Sequence, residues 1–254
     1  MEEFTKIDVL TARVQELEQQ LEQRNTALLE AGQDLETFTY KISHDLHAPL
    51  RAINSYMEMI RSDYTAKPLD DDALRMISRV TTNVEEMKQM LDGLLEFVRT
   101  GKKELNKQLV NMSSLVKEIC DDVQKRYPER KFVFHVENLP DVYADADLVR
   151  KVWMQLISNA VKFTGKKEES IIDFHSYEQN NQVVYSIKDN GDGFDMSFYT
   201  KLFGVFQRLH HKTEFEGTGI GLAIADKILT QHQGKIWAEA KVKGGAVFYF
   251  SLPK

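Results

Sequence analysis

The N-terminal part of the chain carries apolar residues at alternating steps of three and four, which is the seam of a coiled coil. The series then continues with two consecutive steps of four after Ile42, a stutter that locally unwinds a left-handed supercoil. A sustained seam of this kind demands a partner helix, so it constrains the fold more than any other feature. Its members are Ile7, Leu10, Val14, Leu17, Leu21, Leu28, Ala31, Leu35, Phe38 and Ile42, interrupted by Arg24, and then Leu46, Leu50, Ile53, Met57 and Ile60.

A second helical pattern follows a break at Lys67-Pro68-Leu69-Asp70, where proline disfavours helix at the preceding residue. Its apolar positions are Leu74, Ile77, Val84, Met87, Leu91, Leu94 and Val98. Two antiparallel helices cannot bury both stripes alone, whereas two copies of the hairpin form a four-helix bundle. We therefore expect a homodimer, with a hinge at Arg99–Lys103.

Beyond the hinge, strand and helix patterns are mixed, which predicts an α+β chain whose C-terminal part is a two-layer α/β sandwich. We expect a coiled coil over residues 1–36, a dimerisation hairpin over 37–100 and a separate domain over 101–254. The expected strands are Lys107–Met112, Lys131–Val136, Val142–Ala144, Ile171–Glu178, Gln182–Lys188, Lys235–Glu239 and Ala246–Leu252. The expected helices are Leu115–Tyr127, entered at Ser113 or Ser114, Asp147–Phe163 and Gly219–Gln233. Hairpin turns are expected at Asn180-Asn181 and around Gly244-Gly245.

Composition narrows the class of protein. An apolar content of 42% over 254 residues supports a packed core, and a net charge of −6 gives no basic footprint for nucleic acid. Cys120 is the sole cysteine, so no intrachain disulfide forms, and we expect it to be a small buried residue. No apolar run is long enough to span a bilayer and the N-terminus is not a signal peptide, so we expect a cytoplasmic protein or a piece of a larger one.

His44 is the candidate nucleophile of the first helix. It is two residues from both Ile42 and Leu46, so at about 100° per residue it lies roughly 200° from each, opposite the apolar stripe. Asp45 can accept a ring hydrogen bond and leave the other nitrogen free to attack. Pro49 is expected to bend the helix one turn later. The alternative is an ordinary surface histidine, and we interpret the other six histidines (His47, His135, His175, His210, His211 and His232) as surface or lid residues.

Three further motifs suit a nucleotide. Gly217-Thr218-Gly219-Ile220-Gly221-Leu222 precedes a helix, and glycines there let backbone N–H groups approach phosphate oxygens, although a tight turn is the simpler alternative. Asp189-Asn190-Gly191-Asp192-Gly193 ends a strand, where an aspartate can accept from the exocyclic amine of adenine or merely terminate the strand. Asn159 and Lys162 share one helical face and suit magnesium plus phosphate, or are polar decoration.

In this order the motifs resemble the sensor histidine kinases of two-component signalling, from about Leu35 to Pro253. Phe203-x-x-Phe206 lies between the aspartate-glycine and glycine boxes, and Phe206-Gln207-Arg208-Leu209-His210 is similar to the phytochrome-type and soluble-sensor branch.

The resemblance implies a role for each motif. His44 is the phosphorylated residue and Asp45 its base-like partner. Asn159 holds Mg²⁺, Lys162 and Arg208 contact the phosphates of ATP, Phe163 borders the nucleotide, and Asp189, with Gly191 and Gly193, receives the adenine. Residues 207–216 form a lid. The implied partners are a second copy of the chain, a response regulator and an upstream sensor domain that is absent here.

Two departures from the family pattern bear on activity. The fourth position after the histidine is usually threonine or asparagine and orients water for the reverse, phosphatase reaction, but here it is Ala48. Gln155 stands where related ATPases keep a water-activating glutamate. We therefore expect kinase activity with weak or absent phosphatase activity. The competing functions are an ATPase of the same pocket superfamily, opposed by Gln155, and a non-catalytic coiled-coil scaffold, opposed by the intact nucleotide motifs.

Overall fold

A computed structural model describes residues 2–64, 69–100, 104–207 and 217–254, with only the backbone described for residues 2–12, 28–37, 39–40 and 43–44. The chain divides into two compact units, Met1–Asn83 and Val84–Lys254. This division falls inside a helix, Asp71–Thr100, rather than at the expected boundary after residue 100. The assignment of residues 1–36, 37–100 and 101–254 to separate domains stays a prediction.

The first unit is helical. Helix α1 runs from Glu2 to Asp63 and continues through Pro49. Helix α2, Asp71–Thr100, begins where the Asp70 carboxylate accepts from the backbone N–H groups of Asp72 and Ala73, both at 3.0 Å. The predicted break at Lys67-Pro68 lies outside the described residues. Of the predicted hinge Arg99–Lys103, Arg99 and Thr100 are the last residues of α2, and residues 101–103 lie outside the described residues. None of the helices in the described part of the chain is long and apolar enough to cross a membrane.

The predicted apolar seam is exposed in a single copy of the chain. Val14, Leu17 and Leu21 on α1 keep 52%, 49% and 63% of their surface accessible. Further exposed apolar side chains follow along both helices: Leu50, Met57, Met59, Leu74, Ile77, Val84, Leu91, Leu95 and Val98. Burial of such stripes is the main source of stability for long amphipathic helices, so these faces must pack against another protein surface.

The second unit contains a five-stranded sheet in the order β2-β4-β5-β7-β6, and a two-stranded sheet of β1 and β3. Strands β2 and β4 pair in parallel, and the other neighbours are antiparallel. The strands are β1 (Lys107–Val110), β2 (Lys131–Val136), β3 (Val142–Asp145), β4 (Glu169–Gln179), β5 (Gln182–Asp189), β6 (Lys235–Ala240) and β7 (Ala246–Pro253). The helices are α3 (Met112–Arg126), α4 (Ala146–Phe163) and α5 (Gly221–Gln231), with a short 3₁₀ helix at Met196–Lys201.

The three helices pack on the sheet, which confirms the expected two-layer α/β arrangement. Trp153 on α4 is fully buried at the centre of the interface. Its ring centroid lies 4.8 Å from that of Phe250, 5.8 Å from Tyr185 and 5.9 Å from Phe174. Aromatic pairs at these separations stabilise a core beyond simple area burial. Cys120 on α3 is buried as expected, and burial raises the pKa of its thiol to about 12.

Two predicted helices differ at their ends from the structure. Helix α3 begins at Met112, because the Asn111 side chain accepts from the Ser114 N–H at 2.8 Å and caps the helix, whereas Ser113 or Ser114 was expected to do so. Helix α5 spans Gly221–Gln231 rather than Gly219–Gln233, because Gly219 and Gln233 have left-handed φ values of 73° and 61°. The β4–β5 turn is as predicted, with Asn180 and Asn181 at φ 50° and 60°, as a two-residue hairpin requires.

His232 also differs from its prediction, because it is a buried structural residue with 1% exposure rather than a surface or lid residue. Its Nε2 accepts from the backbone N–H of Asp145 at 3.0 Å, and its Nδ1 lies 2.8 Å from the Ile228 carbonyl oxygen, to which it donates. Asp145, also buried, caps α4 by accepting from the Leu148 N–H at 3.1 Å. The neutral imidazole therefore ties the end of α5 to the start of α4.

Burial lowers the pKa of His232, so the folded state binds fewer protons than the unfolded state once the pH falls below the ordinary histidine value. Stability contributed by His232 is thus present at neutral pH and lost as the pH drops below about 6.5. We expect His232→Gln to lower the free energy of unfolding by about 1–3 kcal/mol at pH 7.5 and by less at pH 5.5. Denaturant titration checks this, with the exposed His135→Gln as control; an equal loss at both pH values contradicts the prediction.

Candidate functional site

A cavity of about 530 Å³ opens in the second unit, between α4, the end of β5 and the start of α5. Most of the predicted nucleotide residues line it: Asn159, Lys162, Phe163, Asp189, Gly193, Gly217, Thr218, Gly219, Ile220, Gly221 and Leu222. Residues far apart in the sequence are thereby brought around one space large enough for a small ligand.

One face of α4 forms a wall of the cavity. Helical spacing buries Trp153, Leu156 and Ile157 against the sheet and turns Gln155, Asn159 and Lys162 toward the cavity. The Gln155 amide donates to Asn159 Oδ1 at 3.4 Å. The Lys162 ammonium lies 4.2 Å from the centroid of the Phe163 ring, a cation–π contact. The wall thus offers an amide oxygen and a cation about one helical turn apart.

Asp189 ends β5 as a buried carboxylate with 5% exposure. Its Oδ1 accepts from the Gly191 N–H at 2.8 Å. Burial raises the pKa of Asp189 to about 6, while the backbone hydrogen bonds from Gly191 and Ala246 act in the opposite direction. A buried acceptor with a raised pKa at a cavity wall marks a candidate binding position.

Gly193 lines the cavity at a point where the neighbouring backbone leaves no room for a side chain. Its φ is +58°, and a Cβ there would lie 2.1 Å from the Lys241 carbonyl oxygen. Gly191 is not among the described lining residues, although a Cβ there would lie 2.7 Å from the Phe163 carbonyl oxygen. The two glycines therefore let the segment after β5 pass against α4 and the β6–β7 turn.

The segment Gly217–Leu222 closes the cavity opposite Asp189. A Cβ at Gly217 would lie 3.4 Å from Lys162 Nζ, and one at Gly221 only 2.0 Å from Gln155 Cδ, so this backbone lies directly against α4. Helix α5 begins at Gly221 with no side-chain cap at Ile220. Because no side chain caps them, the first backbone N–H groups of α5 are suited to bind an anion.

Several predicted site residues are not among the described residues that line this cavity. His44 and Asp45 belong to α1 in the first unit, and the side chain of His44 lies outside the described residues, so its predicted orientation stays a prediction. Arg208 and most of the predicted lid, residues 208–216, also lie outside them.

One wall of the cavity was not predicted from the sequence; it is formed by Gln89, Asp92, Gly93 and Glu96 of α2. The sequence carried one indication of this wall, Gly93, because a glycine inside a helical pattern often marks a close approach of another segment to the helix.

The donor set fits a nucleotide with a hard divalent cation. Asn159 is 7% exposed and presents an amide oxygen, the ligand type that Mg²⁺ accepts alongside water and phosphate oxygens. Lys162 and the start of α5 supply positive charge and N–H donors beside it.

Two family models match the chain. One, described as "Histidine kinase-, DNA gyrase B-, and HSP90-like ATPase", matches residues 144–254, which include the polar face of α4, Asp189 and the Gly217–Leu222 segment. The other, described as "His Kinase A (phospho-acceptor) domain", matches residues 34–103, which include His44.

Similar proteins agree with these matches. The phytochrome-like protein Cph1 of Synechocystis sp. is 33% identical over 235 residues, covering 92% of this chain and 31% of Cph1. The adaptive-response sensory kinase SasA of Thermosynechococcus vestitus is 30% identical over 246 residues, covering 92% of this chain and 64% of SasA. The chain spans about a third of the length of Cph1 and the cyanobacterial phytochromes that it matches.

Solved structures show the same fold. Histidine kinase ThkA, solved in complex with response regulator protein TrrA, superposes with a TM-score of 0.62 at 23% identity, covering 85% of this chain and 61% of that one. The phospho-acceptor and ATPase models, in that order, and the kinase relatives show that this chain belongs to the sensor histidine kinases.

Proposed function

We propose that this chain catalyses ATP-dependent phosphorylation of its own His44 and then transfers the phosphoryl group to an aspartate of a response regulator. The observation that carries the proposal is the cavity that gathers Asn159, Lys162, Asp189 and the Gly217–Leu222 segment, in a chain whose α1 holds the phospho-acceptor sequence. An enzyme of this class needs both parts, because the nucleotide and the acceptor are bound by different segments.

Asp189 is proposed to bind the adenine. A carboxylate accepts hydrogen bonds only, so it suits the exocyclic amine of adenine and not the carbonyl at the same position of guanine. A pKa of about 6 leaves Asp189 mostly ionised at neutral pH, as this role requires. Phe163 supplies an aromatic surface along the same cavity, and Gly191 and Gly193 support the backbone beside Asp189.

The phosphates are proposed to lie between α4 and the start of α5. Asn159 would hold Mg²⁺, which neutralises charge on the β- and γ-phosphates when bound. Lys162 lies beside Gly217, where an ammonium and backbone N–H groups can bind the same oxygens. Gly219, Ile220, Gly221 and Leu222, with Thr218, form the remainder of this binding segment. Arg208 is proposed as a further phosphate ligand from the lid.

The phosphorylation step is an in-line displacement. A neutral imidazole nitrogen of His44 attacks the γ-phosphorus, an N–P bond forms, and the O–P bond to the leaving ADP breaks. Asp45 would take up the proton from the other ring nitrogen as positive charge develops there. Most of the rate enhancement is expected from positioning, so the cavity and His44 must meet during catalysis, which the predicted hinge Arg99–Lys103 would allow.

Assembly as a homodimer is part of the proposal. The exposed apolar stripes of α1 and α2 are the surface that a second copy would cover in a four-helix bundle. The structure of ThkA with TrrA supports a response regulator as the receiver of the phosphoryl group. We further propose that α1 transmits a signal from a sensor domain outside this chain and that the protein acts in the cytoplasm.

Simple ATP hydrolysis is the less favoured activity. Gln155 lies in the cavity beside Asn159, at the place where a hydrolytic enzyme of this superfamily needs a carboxylate. An amide cannot remove a proton from water, so water attack has no general base there.

Replacing the acceptor gives the central test. We expect His44→Gln to abolish acid-labile radiolabel from γ-labelled ATP and Mg²⁺, because glutamine has no nucleophilic nitrogen. The matched control is His47→Gln, which changes an exposed histidine on the same helix and should keep its label. Retention of the label in His44→Gln would show that another residue is the acceptor.

Restoring a polar side chain at Ala48 tests the predicted lack of phosphatase activity. Ala48 is exposed on α1 and has no hydrogen-bonding group to orient water. We expect the wild type to leave phosphorylated regulator nearly intact and Ala48→Asn to speed its dephosphorylation by about tenfold or more. Loss of phosphoryl-aspartate is the measurement. The size control is Ala48→Leu, because leucine is close to asparagine in size and has no hydrogen-bonding group. Rapid dephosphorylation by the wild type contradicts the prediction.

We expect Asp189→Asn to weaken ATP binding while it stabilises the fold at neutral and higher pH. Below about pH 4 the buried carboxyl is protonated and resembles asparagine, so the two proteins should be equally stable. As the pH rises through about 6 the wild type must bury a charge, so the variant should become more stable by about 1–3 kcal/mol at pH 8. ATP affinity should fall at least tenfold, because the amide presents donors to the adenine amine. Thermal unfolding and fluorescent-nucleotide titration check the two effects; unchanged ATP affinity removes the adenine assignment.

A further inference from the structure

We propose that Arg130 positions Lys162 in the nucleotide cavity, and that it acts through Thr164 at the end of α4. Arg130 belongs to none of the acceptor or nucleotide motifs, and it is not among the described residues that line the cavity. The inference rests on the proposed ATP binding, because Lys162 is proposed there as a phosphate ligand. It assigns a part in that binding to a residue that lies outside the cavity.

The guanidinium of Arg130 is held in place by aromatic rings. Arg130 lies in the turn between α3 and β2, where its backbone N–H donates to the Tyr127 carbonyl oxygen at 3.1 Å. Its Cζ lies 4.7 Å from the centroid of the Phe132 ring and 5.8 Å from that of the Tyr127 ring. Cation–π contacts of this kind restrict a long side chain that would otherwise sample many rotamers. The guanidinium is therefore set in one direction, toward α4 and β4.

Two buried hydroxyl groups accept hydrogen bonds from this guanidinium. Its Nη2 lies 2.8 Å from Ser170 Oγ, near the start of β4, and 3.3 Å from Thr164 Oγ1, directly after α4. Thr164 is fully buried and Ser170 nearly so. Each hydroxyl also donates a hydrogen bond, Thr164 to the Ala160 carbonyl oxygen at 2.7 Å and Ser170 to the Thr164 carbonyl oxygen at 3.5 Å. Arg130 thus uses the acceptor capacity of both hydroxyl groups.

These bonds close the last turn of α4. The carbonyl groups of a final turn have no partner within the helix, and helix ends fray unless another group binds them. Here the Thr164 hydroxyl donates to the carbonyl oxygens of Ala160 and Val161, at 2.7 Å and 3.2 Å. The charge of Arg130 also lies at the negative end of the helix dipole, where a cation is stabilising. Removal of Arg130 should therefore loosen this turn.

Lys162 lies in that turn, two residues before Thr164. Its ammonium reaches the backbone of the glycine segment, since a Cβ at Gly217 would lie 3.4 Å from Lys162 Nζ. A group that must contact phosphate oxygens loses much of its effect when it moves by about 1 Å. The place of Lys162 in the cavity therefore depends on the hydrogen bond between Arg130 and Thr164.

Arg130→Gln tests this role through the affinity for ATP and Mg²⁺. We expect the dissociation constant of ATP to rise about five- to twentyfold, and the KM for labelling of His44 to rise with it. The matched control is Lys166→Gln, which removes a positive charge just after α4 together with its 3.2 Å pair to Asp192. The side chain of Lys166 is 56% exposed, so this change should leave the dissociation constant within about twofold.

A double-mutant cycle with Lys162→Ala separates positioning from general support of the fold. If Arg130 acts by placing Lys162, Arg130→Gln should weaken ATP binding by less than about twofold once the ammonium is gone. General damage to the domain would instead weaken binding by the same factor in both backgrounds. Calorimetric titration of the full chain with a non-hydrolysed ATP analogue and Mg²⁺ gives the dissociation constants.

Substitution of the two hydroxyl partners tests the route. Thr164→Val keeps the shape of the side chain and removes the hydroxyl next to α4, so it should reproduce most of the loss of ATP affinity. Ser170→Ala removes the partner on β4 and should change the dissociation constant by less than about twofold. If Arg130→Gln does not fold, the cycle of Thr164→Val with Lys162→Ala takes its place under the same criterion.

The outcomes separate the two proposals. If the wild type binds no ATP, the proposed function fails. If it binds ATP but Arg130→Gln leaves the affinity within about twofold, or weakens it equally with and without Lys162, the positioning role of Arg130 is wrong while the kinase assignment stands. An equal loss of affinity in Ser170→Ala and Thr164→Val would overturn the route through α4.

Discussion

The packing of Trp153 under α4 is the interaction on which the site depends. Three aromatic rings of the sheet surround this side chain, which leaves α4 one rotational setting about its axis. Because the helix has a fixed period, that setting also decides where Asn159 and Lys162 point. A helix rotated by a fraction of a turn would keep its apolar contacts only in part and would move the amide oxygen and the ammonium away from the Gly217–Leu222 segment. The packing of Trp153 in the core therefore also determines where the side chains of the site point.

The buried polar residues His232 and Asp189 have opposite effects on stability at neutral pH. His232 is hydrogen-bonded on both ring nitrogens and joins α5 to α4, so its burial contributes stability. Asp189 is buried with an elevated pKa and costs stability at neutral pH, which is the expected signature of a residue kept for binding. The fold can bear that cost because the Gly191 N–H already satisfies one carboxylate oxygen.

Local patterns in the sequence predicted most of the elements, since the reasons for them are local. Strand β2 and the Asn180-Asn181 hairpin were predicted because strand alternation and turn chemistry are properties of neighbouring residues. The cap of α3 was misassigned to Ser113 or Ser114, since only geometry shows that Asn111 reaches the Ser114 N–H. His232 and the α2 wall were missed for a different reason. Their roles come from partners far away in the chain, Asp145 for His232 and Ile220 for Gly93, and no periodicity encodes such pairs.

The positions of the two tryptophans make the second unit optically readable. Trp153 is fully buried among rings, whereas Trp237 stacks on Tyr249 at 5.4 Å, on the side of β6 opposite the core residues Ile236 and Ala238. Intrinsic emission therefore has two components, a shielded one from beneath α4 and one accessible to a collisional quencher. Because Trp153 lies on the helix that carries Asn159 and Lys162, the shielded component reports on the same packing that shapes the cavity. The chain contains its own spectroscopic probe of that packing, with no added label.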